Sequence, residues 1–139
     1  MSGYRVFKRI GFCYGHRLLR YRGKCRHLHG HNAVLDVEVA APGLDRLGMV
    51  MDFSLIRDKV KTWVDRTLDH KTILAEDDPL VPVLRRLGEP IVTMKGNPTA
   101  ETIARLVYDR CRRLGLPVSA VRLWESDTSC AEYRGEIPT

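Results

Sequence analysis

The stretch KCRHLHGH, Lys24 to His31, places Cys25 four residues ahead of a His-Gly-His triplet, with His27 between them. Three of the chain's five histidines fall within five residues. Imidazole and thiolate are the ligands that suit zinc and related metals. Two readings therefore compete: a His-rich polar loop, or a metal site with a thiol beside it. Residues i and i+2 of a strand share a face. On a strand, His29 and His31 would project side by side, able to reach one ion with nitrogens about 2.0–2.1 Å from zinc. Alone, an HxH pair is more often a surface or hydrogen-bonded pair than a ligand set. His16 ends an earlier alternating run and supplies a third ligand if the two strands are neighbours. Three histidines and an open position is the arrangement of a catalytic zinc. Cys25 as a fourth ligand would close a structural site and leave the remaining carboxylates and histidine without a role.

The elements that must position these residues are legible in outline. From Arg5 to His16, alternation puts Val6, Ile10, Phe12, Tyr14 and His16 on one face, with Gly11 and Gly15 as bulge or close-approach sites. From His29 to Val39 it groups His29, His31, Ala33, Leu35, Val37 and Val39, with Asn32, Asp36 and Glu38 turned away. APGLDRLG supplies a turn. A helix follows, capped by Asp52 or Ser54 and carrying Ile56, Val60, Trp63, Val64 and Leu68 at helical spacing. Leu74 to Asn97, bordered by prolines, reads as an irregular excursion with room for one short helix. A second long helix starts near Thr99 behind Pro98 and stops at Gly115 before Pro117. Val118–Glu125 and Ser129–Arg134 read as two strands joined by a short turn. The expected fold is α+β, in the order ββααββ: a four-stranded antiparallel sheet with two helices packed on one face. Such a sheet leaves two edges to be covered, so self-assembly is expected.

Composition bounds the partners. A chain of 139 residues fits one domain, 1–139, with 44% hydrophobic and 29% charged residues. No apolar run approaches the length of a membrane span. MSGYRVFKRIGF lacks an apolar signal core, so a cytoplasmic protein is expected, with no membrane partner. The four cysteines form no CxxC pair and are expected to be free thiols. The net charge of +6 is concentrated at Arg17, Arg20, Arg22, Lys24 and Arg26. No nucleic-acid-binding spacing accompanies that run, so a small polyanion is a better fit than nucleic acid.

At CRHLHGH the chain resembles the CxxxHGH motif of the 6-carboxy-tetrahydropterin synthases, in the 6-pyruvoyl-tetrahydropterin synthase superfamily. FCYGHRL, GMVMDFSLIR, LDH at Leu68–His70, NPTAETIA at Asn97–Ala104, WES at Trp124–Ser126 and YRGE at Tyr133–Glu136 also fall in family order. Singly these are weak; together, in order over nearly the whole chain, they are specific. The three-residue spacer between Cys25 and His29 resembles the carboxy-synthase branch.

The resemblance implies a tunnelling fold, trimers that pair into hexamers, and one Zn2+ per subunit held by His16, His29 and His31. It implies Cys25 as general base, His70 as relay histidine oriented by Asp69, and Glu125 as the carboxylate that anchors the pterin. Glu101 is a weaker candidate for the same pocket. Read without the resemblance, Cys25 is a small buried hydrophobe, Glu101 a carboxylate at a helix N-terminus, Asp69–His70 a cap pair and Glu125 a solvated strand end. The implied reaction converts 7,8-dihydroneopterin triphosphate to 6-carboxy-tetrahydropterin, acetaldehyde and triphosphate, feeding queuosine and other deazapurine synthesis. We assign the basic run from Arg17 to Arg26 to the triphosphate. Tyr14 and Gly15 depart from two alanines of the family pattern, KTIL after His70 lacks its asparagine, Ser126 stands where threonine is common, and Leu74–Asn97 is long. A pyruvoyl-forming synthase or related pterin lyase is thus the nearest alternative, and a zinc-dependent binding protein without turnover the alternative outside enzymes.

Overall fold

The computed structural model describes residues 2–135. Its strands are β1 (Tyr4–His16), β2 (His29–Ala41), β3 (Lys71–Ala75), β4 (Ile91–Met94), β5 (Val118–Ser126) and β6 (Ser129–Tyr133). Its helices are α1 (Phe53–Thr67), α2 (Leu80–Arg86) and α3 (Ala100–Arg113). β1 and β2 pair antiparallel over their whole length, from Tyr4 opposite Ala41 to His16 opposite His29. β5 pairs antiparallel with β2, and β6 with β5. These four are the antiparallel strands that alternation predicts.

The expected sheet is nevertheless too small. β3 runs parallel to β1 and β4 parallel to β3, giving one mixed six-stranded sheet in the order β4-β3-β1-β2-β5-β6. The element order is ββαβαβαββ, with three helices rather than two. The added strands have five and four residues, too few for alternation to register. Ile73, Leu74 and Ala75 are all fully buried, the continuous apolar run of a parallel strand rather than an alternating one. The prolines that suggested irregularity fit the elements instead: Pro79 is the N-cap of α2, Pro82 lies in its first turn, and the Pro90 carbonyl accepts from the Thr72 N–H just ahead of β4. Glu136, the last residue of the YRGE stretch, lies outside the described residues.

Helix boundaries follow local chemistry. The Asp52 carboxylate accepts the Ser54 N–H at 2.7 Å and starts α1. Thr99 and Thr102 form a reciprocal capping box at α3. Gly115, at φ +84°, takes the left-handed conformation that ends it. α1 buries Ile56, Val60 and Val64, and α3 buries Ile103, Ala104, Val107 and Cys111. Both stripes meet the same sheet face, where Ile10, Phe12, Tyr14, Leu35, Val37, Val39, Val121 and Leu123 complete one core. Truncating a buried leucine such as Leu35 in a core of this kind costs about 2–5 kcal/mol. The opposite face is polar but not simply solvated. Glu38 is 1% exposed, held by Ser119 at 3.0 Å, Arg134 at 3.0 Å and Arg5 at 3.5 Å. Asp36 binds Arg9 at 2.8 Å and the Trp124 indole at 3.0 Å.

Candidate active site

Register brings the three predicted histidines together. His16 ends β1 opposite His29, and Tyr14 stands opposite His31, so all three imidazoles lie on the helix-covered face. Their ring centroids are 4.5, 5.0 and 5.1 Å apart, and one ligand nitrogen of each lies within 4.8 Å of the others. Two backbone carbonyls orient the rings. His16 Nδ1 donates to the Pro98 carbonyl at 2.7 Å, and His29 Nδ1 to the His27 carbonyl at 2.7 Å. Each bond places a proton on Nδ1 and leaves the lone pair on Nε2.

Both nitrogens belong to the same cluster. His16 Nε2 is 3.1 Å from His31 Nε2, and His29 Nε2 is buried without any hydrogen-bond partner. A buried acceptor left unpartnered costs free energy that a metal ion would recover. Burial holds the His16 imidazole below its ordinary pKa, reinforced by His29 and His31 and opposed by the Pro98 carbonyl and Glu125. The ring is thus kept neutral, as a metal ligand must be. The donor set fits a metal ion: the His16–His29–His31 cluster could bind one.

Glu125, near the end of β5, is not a solvated strand end. Its Oε2 lies 2.8 Å from His31 Nε2 and 3.6 Å from His16 Nε2, with the side chain 26% exposed. Tyr14, on the His16 face of β1 as alternation predicts, packs its ring 5.1 Å from His16 and 5.6 Å from His31. Its buried hydroxyl has no partner, and burial, with the nearby Glu125 charge, raises its pKa.

The other predicted residues stand apart from the histidines. Cys25 sits half-buried in a single 3-10 turn, Lys24–Arg26, that leads toward β2. Its carbonyl accepts the Leu18 N–H at 2.9 Å, and its thiol belongs to neither of the two clusters of potential ligands. Asp69 and His70 form a pair, His70 Nδ1 to Asp69 Oδ2 at 2.8 Å, and their neighbour is Cys13 rather than Cys25. Glu101 is exposed in the first turn of α3, where the helix dipole favours a carboxylate.

The basic run is only partly available to an anion. Arg17 binds the buried Asp78 through two nitrogens, one at 2.8 Å, and Arg20 reaches Asp77 at 3.4 Å. Arg26 donates to its neighbours His27 and Arg22. Among the described residues, Arg22, Lys24 and Arg26 make no ion pair, whereas Arg17 and Arg20 do. Sequence alone gave no signal that Asp78 would claim Arg17, because the two are 61 positions apart.

The family model described as 6-pyruvoyl tetrahydropterin synthase matches residues 5–136. A 6-carboxy-5,6,7,8-tetrahydropterin synthase of Rickettsia conorii is 46% identical over 99 residues, covering 70% of this chain and 72% of that protein. The Aquifex aeolicus protein of the same name is 35% identical over 151 residues, covering 97% and 93%. Among solved structures, the 6-pyruvoyl tetrahydropterin synthase of Caenorhabditis elegans superposes with a TM-score of 0.73 at 21% identity, covering 98% of each chain, and shares the fold. No helix among the described residues is long and apolar enough to cross a membrane.

Proposed function

The chain belongs to the 6-pyruvoyl tetrahydropterin synthase family, a family of pterin lyases, and on that premise we propose that it converts 7,8-dihydroneopterin triphosphate to 6-carboxy-5,6,7,8-tetrahydropterin, acetaldehyde and triphosphate. The observation that carries the reading is the clustering of His16, His29 and His31, with the His29 Nε2 buried and unpartnered, beside the carboxylate of Glu125. Relatives named 6-carboxy-5,6,7,8-tetrahydropterin synthase, at up to 46% identity, favour the carboxy branch over the pyruvoyl one.

In this reading His16, His29 and His31 hold one Zn2+ per subunit. What zinc would supply when bound is Lewis acidity toward the two adjacent side-chain hydroxyls of the substrate. Glu125 accepts two hydrogen bonds from the pterin's amino and ring N–H groups, fixing the ring beside the histidine cluster. The Cys25 thiolate takes a carbon-bound proton from the side chain. His70, oriented by Asp69, relays protons, and Glu101 is a weaker contact to the same pterin. Arg22 and Lys24 meet the triphosphate. Cys25 and the Asp69–His70 pair fall in no common cluster within one chain, and the sheet has free edges at β4 and β6. The reading therefore includes a homo-oligomer, a hexamer built as a dimer of trimers, in the cytoplasm, with neither nucleic acid nor membrane as partner.

The test is Cys25→Ala. It should keep one zinc per subunit and bind pterin while losing turnover by about 10²–10⁴-fold, the usual loss on removing a general base. Loss of zinc would make the thiol a fourth ligand of a structural site. Full activity would make it a bystander.

A further inference from the structure

The connection from β1 to β2, residues 17–28, starts beside His16, ends beside His29 and carries Cys25 between them. Its one regular element is the single turn Lys24–Arg26. A surface connection of this kind is mobile unless its backbone polar groups are tied down. Two successive residues tie it. The Leu18 N–H donates to the Cys25 carbonyl at 2.9 Å, closing the segment on itself. Leu19 is held from outside: its N–H donates to Asn97 Oδ1 at 2.8 Å, and its carbonyl accepts from Asn97 Nδ2 at 3.0 Å. One carboxamide thus pairs with the backbone of Leu19 as a neighbouring strand would, which takes a side chain with both a donor and an acceptor.

Asn97, half-buried, is itself fixed. Its carbonyl accepts the Thr99 N–H at 3.0 Å and the Thr102 hydroxyl at 2.7 Å, so its backbone belongs to the start of α3. Pro98 favours extended backbone at Asn97, and the carbonyl of that same proline orients His16. Arg17 and Arg20 add ion pairs to Asp78 and Asp77, but neither pair involves Leu18, whose N–H meets Cys25. The start of α3 therefore holds two groups at once: the His16 imidazole through Pro98, and the Cys25 segment through Asn97.

We propose that Asn97 is a positioning residue: through Leu19 and Leu18 it fixes the Cys25 turn relative to the histidine cluster. The proposal rests on the reading of Cys25 as general base. Proton transfer requires the base within about 2.6–3.2 Å of the group it serves, and a misplacement of about 1 Å can cost about 10²-fold in rate. Asn97 itself moves no proton; it sets where Cys25 stands.

The test is Asn97→Ala in the full-length, zinc-loaded protein, alone and combined with Cys25→Ala. Hydrogen exchange read by mass spectrometry should speed up about tenfold in peptides covering residues 17–28, where Leu19 loses its partner, and stay unchanged in the middle of α3. Turnover of 7,8-dihydroneopterin triphosphate should fall in kcat by about 10–10²-fold, with KM changed less than about twofold and zinc kept at one per chain. In the Cys25→Ala background, Asn97→Ala should cost no further turnover, because the two act as a unit. Asn97→Asp keeps the acceptor for the Leu19 N–H and loses the donor to its carbonyl; it should show the same pattern, so the result does not hang on one variant. Unchanged exchange over 17–28 would overturn the clamp. Faster exchange with unchanged kcat would leave Asn97 a structural tie and overturn the positioning role. So would an equal loss of turnover with and without Cys25, or a loss of zinc, since Asn97 would then act on something other than the thiol. Full activity of Cys25→Ala alone would fail the base assignment and the positioning role with it, and the exchange result tells that outcome apart from failure of the clamp.

Discussion

His16 Nδ1 hydrogen-bonds the Pro98 carbonyl at 2.7 Å, tying the last residue of β1 to the residue before the α3 cap. The buried end of the histidine cluster is thereby oriented by the start of a helix. Thr99→Ala removes the cap that fixes that start, and should lower stability by about 1 kcal/mol in urea denaturation. It should also weaken metal binding, read by competition with a chromophoric chelator. Destabilisation with unchanged metal affinity would show that the carbonyl does not orient the ring.

Each of the three histidines should matter to metal content. His16→Ala, His29→Ala and His31→Ala should each lose most bound zinc, measured by elemental analysis after dialysis. Full retention in His16→Ala would remove that residue from the ligand set.

Glu125 stands close enough to His31 to be mistaken for a ligand, so its test needs two readouts. Glu125→Gln should retain zinc and bind pterin more weakly by about 1.5–3 kcal/mol, the value of a hydrogen bond to a charged group. Loss of zinc would move Glu125 into the metal's coordination; unchanged pterin affinity would remove it from the substrate site.

The Arg17–Asp78 pair ties the segment after β1 to the turn before α2. The Asp78 side chain is fully buried, while Arg17 remains 22% exposed. Arg17 holds the Asp78 carboxyl below its ordinary value of 3.8, and burial opposes it. A depressed folded pKa means that this stability is present above about 3.8 and is lost as pH falls through the lower folded value. Arg17→Met should therefore destabilise the protein at pH 7 by about 3 kcal/mol, the low end for breaking a buried pair, and flatten the fall in stability below pH 4. Equal stability of variant and parent at pH 7 would contradict the pairing.

The legible part of this protein was what alternates or recurs. Alternation declares β1 from Arg5 and β2 as far as Val39, just short of the observed bounds at Tyr4 and Ala41, and their period carries His16, His29 and His31 to one face. α1 and α3 declare themselves by buried stripes and caps. β3 and β4 do not: they are short, parallel and apolar or half-buried without alternation, and Pro90 stands directly before β4. The site divides in the same way. The histidines were readable because strand geometry alone aligns them. Partnerships that depend on distant loops were not readable: Asp69 with Cys13 is 56 positions apart and His16 with Pro98 is 82. Glu125 was readable as a position on β5 but not as a neighbour of His31, because that proximity depends on how β5 registers with β2.

Product identification tests the proposed reaction itself. Zinc-loaded protein incubated with 7,8-dihydroneopterin triphosphate should consume it and yield 6-carboxy-5,6,7,8-tetrahydropterin, acetaldehyde and triphosphate by mass spectrometry. Accumulation of 6-pyruvoyl-tetrahydropterin in place of the carboxy product would contradict the assigned branch. Stoichiometric pterin binding with no consumption would contradict the lyase.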